Sequence, residues 1–81
     1  MSNDPRLFDR VVVASRLAPL IAPYTVRRLL IRADVVRPEE VTADQLDRAI
    51  PVLADGLQRF LSDDEHHQAV ASLQELAGRG R

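Results

Sequence analysis

Two capping boxes set the framework of this chain. Thr42 is followed three residues later by Gln45, and Ser62 by Glu65. In each pair the hydroxyl is placed to accept the backbone N–H three residues on, while the longer side chain reaches back to the cap's own N–H. This local exchange starts a helix. Apolar residues at helical spacing follow both starts: Leu46, Ile50, Leu53, Leu57 and Phe60/Leu61 after the first, and His66, Ala69/Val70, Leu73 and Leu76/Ala77 after the second. Val41 and Leu46 have the spacing of a hydrophobic staple across the first cap. Asp63 and Asp64 suit the positive end of the second helix, and Gly78 suits its C-terminal cap. Pro51 falls inside the first stripe without shifting its phase. The pattern therefore predicts one long third helix kinked at that proline; a break at Ala49–Ile50, with Pro51 opening a new helix, is the alternative.

The N-terminal half reads the same way with weaker punctuation. Leu7, Val11, Ala14 and Ala18 recur at helical intervals and outweigh the β-prone run Val11-Val12-Val13. The first helix is expected from about Pro5 to Ala18, capped by Asp4 and limited by Pro19. Pro19 and Pro23 bracket a short connection. A second helix follows from Tyr24 or Thr25 to Ala33, and Asp34 to Val41, punctuated by Pro38, forms the main loop. Strand alternation is absent. The expected class is all-α: a small compact bundle of about four helices, the third long and kinked at a proline. Residues 1–78 form a single helical domain, and residues 79–81 a frayed basic tail.

Size and composition narrow the rest. A chain of 81 residues buries only about 60–65% of its unfolded surface, so its stability margin is thin. It has no cysteine, which removes disulfides and thiolate chemistry. One tyrosine and two phenylalanines are its aromatics, so the core has to be aliphatic. No stretch approaches 18 consecutive apolar residues, and the start lacks the basic-then-apolar pattern of a secretory signal; the expectation is a cytoplasmic protein without a membrane span.

Charge is split lengthwise. Residues 1–37 carry seven arginines against three acids, a net of +4, and residues 38–76 carry nine acids against Arg48 and Arg59, a net of −7. The whole chain sums to −1 and hides this asymmetry. Every basic residue is arginine, a composition that a GC-rich genome also produces.

Two elements stand out as candidate contact surfaces. On a helix reaching Ala18 and beyond, Val13, Leu17 and Leu20 lie opposite the Leu7/Val11 face, on the same stripe as Arg10 and Arg16. A helix apolar nearly all round is either central to its domain or buries its second face against another chain. Four helices of this length leave little room for a central one, so self-association through Val13, Leu17 and Leu20, rimmed by Arg10 and Arg16, is the leading expectation. The second element is the cluster Arg27, Arg28, Arg32 and Arg37, which suits an anionic partner or the protein's own acids at Glu39, Glu40 or Asp63–Glu65. The leading function is a non-enzymatic protein–protein interaction module or adaptor, with a homo-oligomer or a protein partner. A small nucleic-acid-associated regulator using the four arginines is the alternative, disfavoured by the acidic isoelectric point and by a loop too long for a tight helix-turn-helix.

No catalytic residue, cofactor, small-molecule substrate or metal site is expected. Ser62 and His66 are neighbours on one turn, but Ser62 is explained as a cap. There is no glycine-rich phosphate loop. Asp63 and His67 offer only two of the three or four ligands that a transition metal needs, and His66 falls on an apolar stripe.

Overall fold

The computed structural model describes residues 6–78. Four α-helices follow one another: α1 Leu7–Ala14, α2 Ala22–Arg32, α3 Ala43–Leu57 and α4 Asp63–Leu76, with a short 3-10 turn at Pro38–Glu40 between α2 and α3. Among the described residues there is no strand. Each helix packs on the next, α4 returns to α1, and the 3-10 turn closes over α1 and α2. The all-α bundle expected from the spacing is what the chain forms.

Both capping boxes are present in full. Gln45 N–H donates to Thr42 Oγ1 at 3.2 Å and Thr42 N–H to Gln45 Oε1 at 3.1 Å. The second box repeats this, Glu65 N–H to Ser62 Oγ at 3.3 Å and Ser62 N–H to Glu65 Oε1 at 3.1 Å. Helix α3 continues through Pro51, whose ring lies on the exposed side, while Leu46, Ala49, Ile50, Leu53 and Leu57 face inward. The stripe ends sooner than its spacing suggests. The helix stops at Leu57, so Phe60 turns out to solvent at 54% exposure and only Leu61 stays against the core.

The core is aliphatic apart from Phe8. Val11, Val26, Leu30, Leu46, Leu53, Leu57, Ala69 and Leu73 are fully buried and form one continuous cluster. Each fully buried leucine contributes about 1.5–3 kcal/mol relative to an exposed one. Gly56 lets α2 and α3 approach closely. A Cβ there would stand 2.9 Å from Leu29 Cδ1 and 3.1 Å from Cγ.

The first helix departs most from expectation. It starts at Leu7, with Arg6 as N-cap and no side-chain cap; the expected cap Asp4, Pro5 and the tail at 79–81 lie outside the described residues. It ends at Ala14, four residues before the expected Ala18. Ser15 caps it and Arg16 takes a left-handed conformation at φ 60°, which stops a helix of L-residues. Pro19 is therefore not the terminator. Helix α2 starts at Ala22, with Pro23 in its first turn, a place where a missing N–H costs nothing.

Three of the four helix C-termini, those of α1, α2 and α4, repeat one device. Asp34 (φ 69°) follows α2 and Gly78 (φ 87°) follows α4. After α2 the closure is a full Schellman motif: Asp34 N–H donates to the Ile31 carbonyl and Val35 N–H to that of Leu30, both at 3.0 Å, with Val35 buried. After α1 the second bond is relayed. The Ser15 hydroxyl donates to the Val12 carbonyl at 2.6 Å and accepts Leu17 N–H at 3.4 Å.

Candidate functional site

The early end of α1 redistributes the residues expected on its second apolar face. Val13 remains on the helix and is 79% exposed. Leu17 lies beyond the helix and is half-buried against the core cluster. Leu20 sits in the connection before α2 at 96% exposure, off the helix altogether. The three therefore do not form one helical stripe, because Arg16 turns the chain between Val13 and Leu17.

A different surface takes the place of that stripe. An open groove runs between α1 and α4. Val13, Ala14, Leu17 and Leu76 give it an apolar floor. Arg10 and Arg16 stand on the α1 side beside Asp9, which pairs with Arg6, and Glu65 and Glu75 stand on the α4 side. Four of the five residues expected at an interface thus share one groove, and Leu20 does not. The two glutamates on the opposite wall have no sequence signal that pairs them with α1, since only the return of α4 to α1 brings them there.

Glu65 is the charged residue of this groove with the most constrained chemistry. The backbone N–H of Ser62 and then its hydroxyl hold the carboxyl below its usual range; the positive charge of Arg16 adds to this, and slight desolvation opposes it. The same carboxylate therefore closes the cap of α4 and presents negative charge to the groove.

The second expected cluster is divided by its surroundings. Arg27 pairs with Glu39 at 2.6 Å and Arg37 with Glu40 at 3.7 Å, so the glutamates of the 3-10 turn take up two of the four arginines. Arg28 lies over the ring of Tyr24, 5.6 Å from its centroid, with Nη1 3.4 Å from the phenol oxygen. Arg32 has no carboxylate partner among the described residues. Tyr24, Arg28 and Arg32 share the edge of a depression of about 270 Å3 between α2 and α3, and its other edge is formed by Arg59 and Phe60. Arg59 lies in the acidic half of the sequence and carries no signal that links it to α2; only the antiparallel meeting of α2 and α3 places it beside Arg28 and Arg32.

Of the two histidines, His66 makes a structural contact. His66 is half-buried, with Nε2 2.7 Å from the carbonyl oxygen of Ala54, and so ties α4 to α3. His67 is exposed. Among the described residues no three histidine or carboxylate side chains converge as a metal site, and no helix is long and apolar enough to cross a membrane. Compared with family models, with curated proteins and with solved structures, the chain finds no match.

Proposed function

We propose that this protein is a non-enzymatic interaction module that self-associates through the groove between α1 and α4. The observation that supports this reading is the charge layout of that groove. Its floor is apolar, the α1 wall carries Arg10 and Arg16 together with Asp9, which is paired with Arg6, and the α4 wall carries Glu65 and Glu75. Such a surface is complementary to itself. A two-fold axis lying along the groove lays α1 of each copy on α4 of the other, arginine wall over glutamate wall, as an isologous contact requires. Val13 is then the apolar anchor, since an exposed valine on a helix flanked by arginines gains most from being covered. Leu17 supports the floor from below, and Leu20 belongs to neither role.

The test is sedimentation equilibrium across micromolar concentrations, comparing the native chain with Val13→Asp and with the charge reversal Glu75→Arg. Val13 and Glu75 are exposed, so both variants keep the fold. The native chain is expected to form a dimer, and Val13→Asp a monomer with unchanged helical circular dichroism. Glu75→Arg weakens the dimer, and Arg10→Glu in the same chain restores it. A native chain that stays monomeric at all concentrations overturns the reading.

A further inference from the structure

The arginines that the α1/α4 groove and the 3-10 turn leave over fall into a pattern of their own. Residues 38–76 contain only two basic side chains, Arg48 and Arg59, among nine acids. Arg48 lies on α3 and Arg59 two residues past its end, both on the side that faces α2. Arg59 lines the depression with Arg28 and Arg32 described above, and Arg48 lines the adjoining one, with Arg32 common to both. Four arginines therefore line two depressions along α2 and α3 that meet at Arg32 and together make one groove. From Arg48 to the end of α3 at Leu57 it extends about 14 Å at the rise of an α-helix, with Arg59 just beyond. Asp34 is the only carboxylate lining either depression, at the Arg48 end; Asp55 is exposed on α3 one residue before Gly56 but lines neither.

The second observation concerns the aromatics. The chain has three, and two of them, Tyr24 and Phe60, line the acid-free end of this groove at 59% and 54% exposure. Phe60 is carried outward by the end of α3 at Leu57, although its spacing belongs to the core stripe. Gly56 brings the two walls together, because the missing Cβ lets Leu29 of α2 close onto α3. An arginine-lined groove with a single carboxylate, Asp34, at one end and two exposed rings at the other, Tyr24 from α2 and Phe60 from the turn after α3, is the layout that grips a phosphodiester backbone and stacks bases. The carboxylates of an acidic peptide would pair with the guanidinium groups alone, whereas a nucleic-acid strand engages the guanidinium groups and the rings together.

We propose that the α2/α3 groove binds single-stranded nucleic acid, with backbone phosphates at Arg28, Arg32, Arg48 and Arg59 and a base stacked on Phe60 beside Tyr24. The surface is separate from the α1/α4 groove, so this binding stands or falls independently of self-association.

The test is fluorescence anisotropy of a labelled oligothymidine with the full chain, titrated between about 50 and 200 mM salt. Saturable binding is expected, with log affinity falling against log salt at a slope of about −2 to −3, from three or four phosphate contacts on a single strand. Phe60→Ala weakens binding about fivefold or more and leaves the slope unchanged, because a ring carries no charge. Arg32→Ala lowers the slope by about 0.7. Both side chains are exposed, and unchanged helical circular dichroism confirms the fold of each variant. Absence of saturable binding at low salt overturns the proposal. So does displacement by polyglutamate as effective as by unlabelled oligothymidine together with an inert Phe60→Ala, which assigns the groove to an acidic protein segment.

Discussion

Replacing Ser15 by alanine tests how α1 is terminated, and with it the placement of Arg16 and Leu17 at the groove. Ser15 is 1% exposed and is the only buried polar side chain among the described residues. Its hydroxyl joins the Val12 carbonyl to Leu17 N–H, in the place where α2 makes the direct bond from Val35 to Leu30. Alanine leaves an acceptor and a donor without that bridge. An unsatisfied buried group costs about 1–3 kcal/mol, and here the lower end applies to each because Leu17 is only half-buried, giving about 2 kcal/mol in all. Alanine's higher helix propensity offsets about 0.5 kcal/mol. The expected net loss is about 1.5 kcal/mol, a fall in melting temperature of about 6–12 °C for a domain of this size. Urea denaturation followed by far-UV circular dichroism, at unchanged m-value, measures it. Ser15→Cys, nearly isosteric but a weak donor, falls between the two. A loss below about 0.5 kcal/mol for the alanine variant refutes the relay and means that water satisfies both groups.

Three further outcomes follow from the same geometry. Asp34→Gly stabilises the protein by about 1 kcal/mol, because it relieves a left-handed non-glycine residue and removes a negative charge from the C-terminal end of α2; Asp34→Asn, which relieves only the charge, gives less, and a destabilised glycine variant in thermal melts contradicts the strain. Gly56→Ala destabilises by about 1 kcal/mol, since overpacking against Leu29 outweighs the gain in helix propensity, and in a Leu29→Ala background the same change is neutral or stabilising, so a double-mutant cycle without coupling rejects the close approach. Glu65 is held below its ordinary value of 4.5, so its contribution is fully present above that pH and is lost as pH falls through the lower folded-state value; urea midpoints for Glu65→Gln decline less steeply in acid than those of the native chain, and identical acid limbs count against the cap's ionic character.

The legible parts of the fold are those whose cause is local. Thr42/Gln45 and Ser62/Glu65 satisfy each other within four residues, so both caps are readable without a partner helix. The phase of Leu46, Ile50, Leu53 and Leu57 carries across Pro51, and α3 is continuous there. Gly78 announces the end of α4 because glycine enters the left-handed region without steric cost. The same turn after α1 and α2 is made by Arg16 and Asp34, which carry no such mark. That is why the spacing predicts a first helix four residues longer than the one that forms, and sets Leu17 and Leu20 on a stripe that ends at Val13.

Charge shows the same division at larger scale. The lengthwise split is plain in the residue order, and so is the crowding of arginines on α2. Which of them remain free depends on what folding brings within a few ångströms. The 3-10 turn carries Glu39 to Arg27 and Glu40 to Arg37, while the packing of α2 on α3 at Gly56 sets Arg59 and Phe60 beside Arg28 and Arg32. Caps and stripes are interactions over three or four residues, and the order of residues states them directly. Grooves are made by side chains some tens of residues apart, and their charge is settled only when the helices meet.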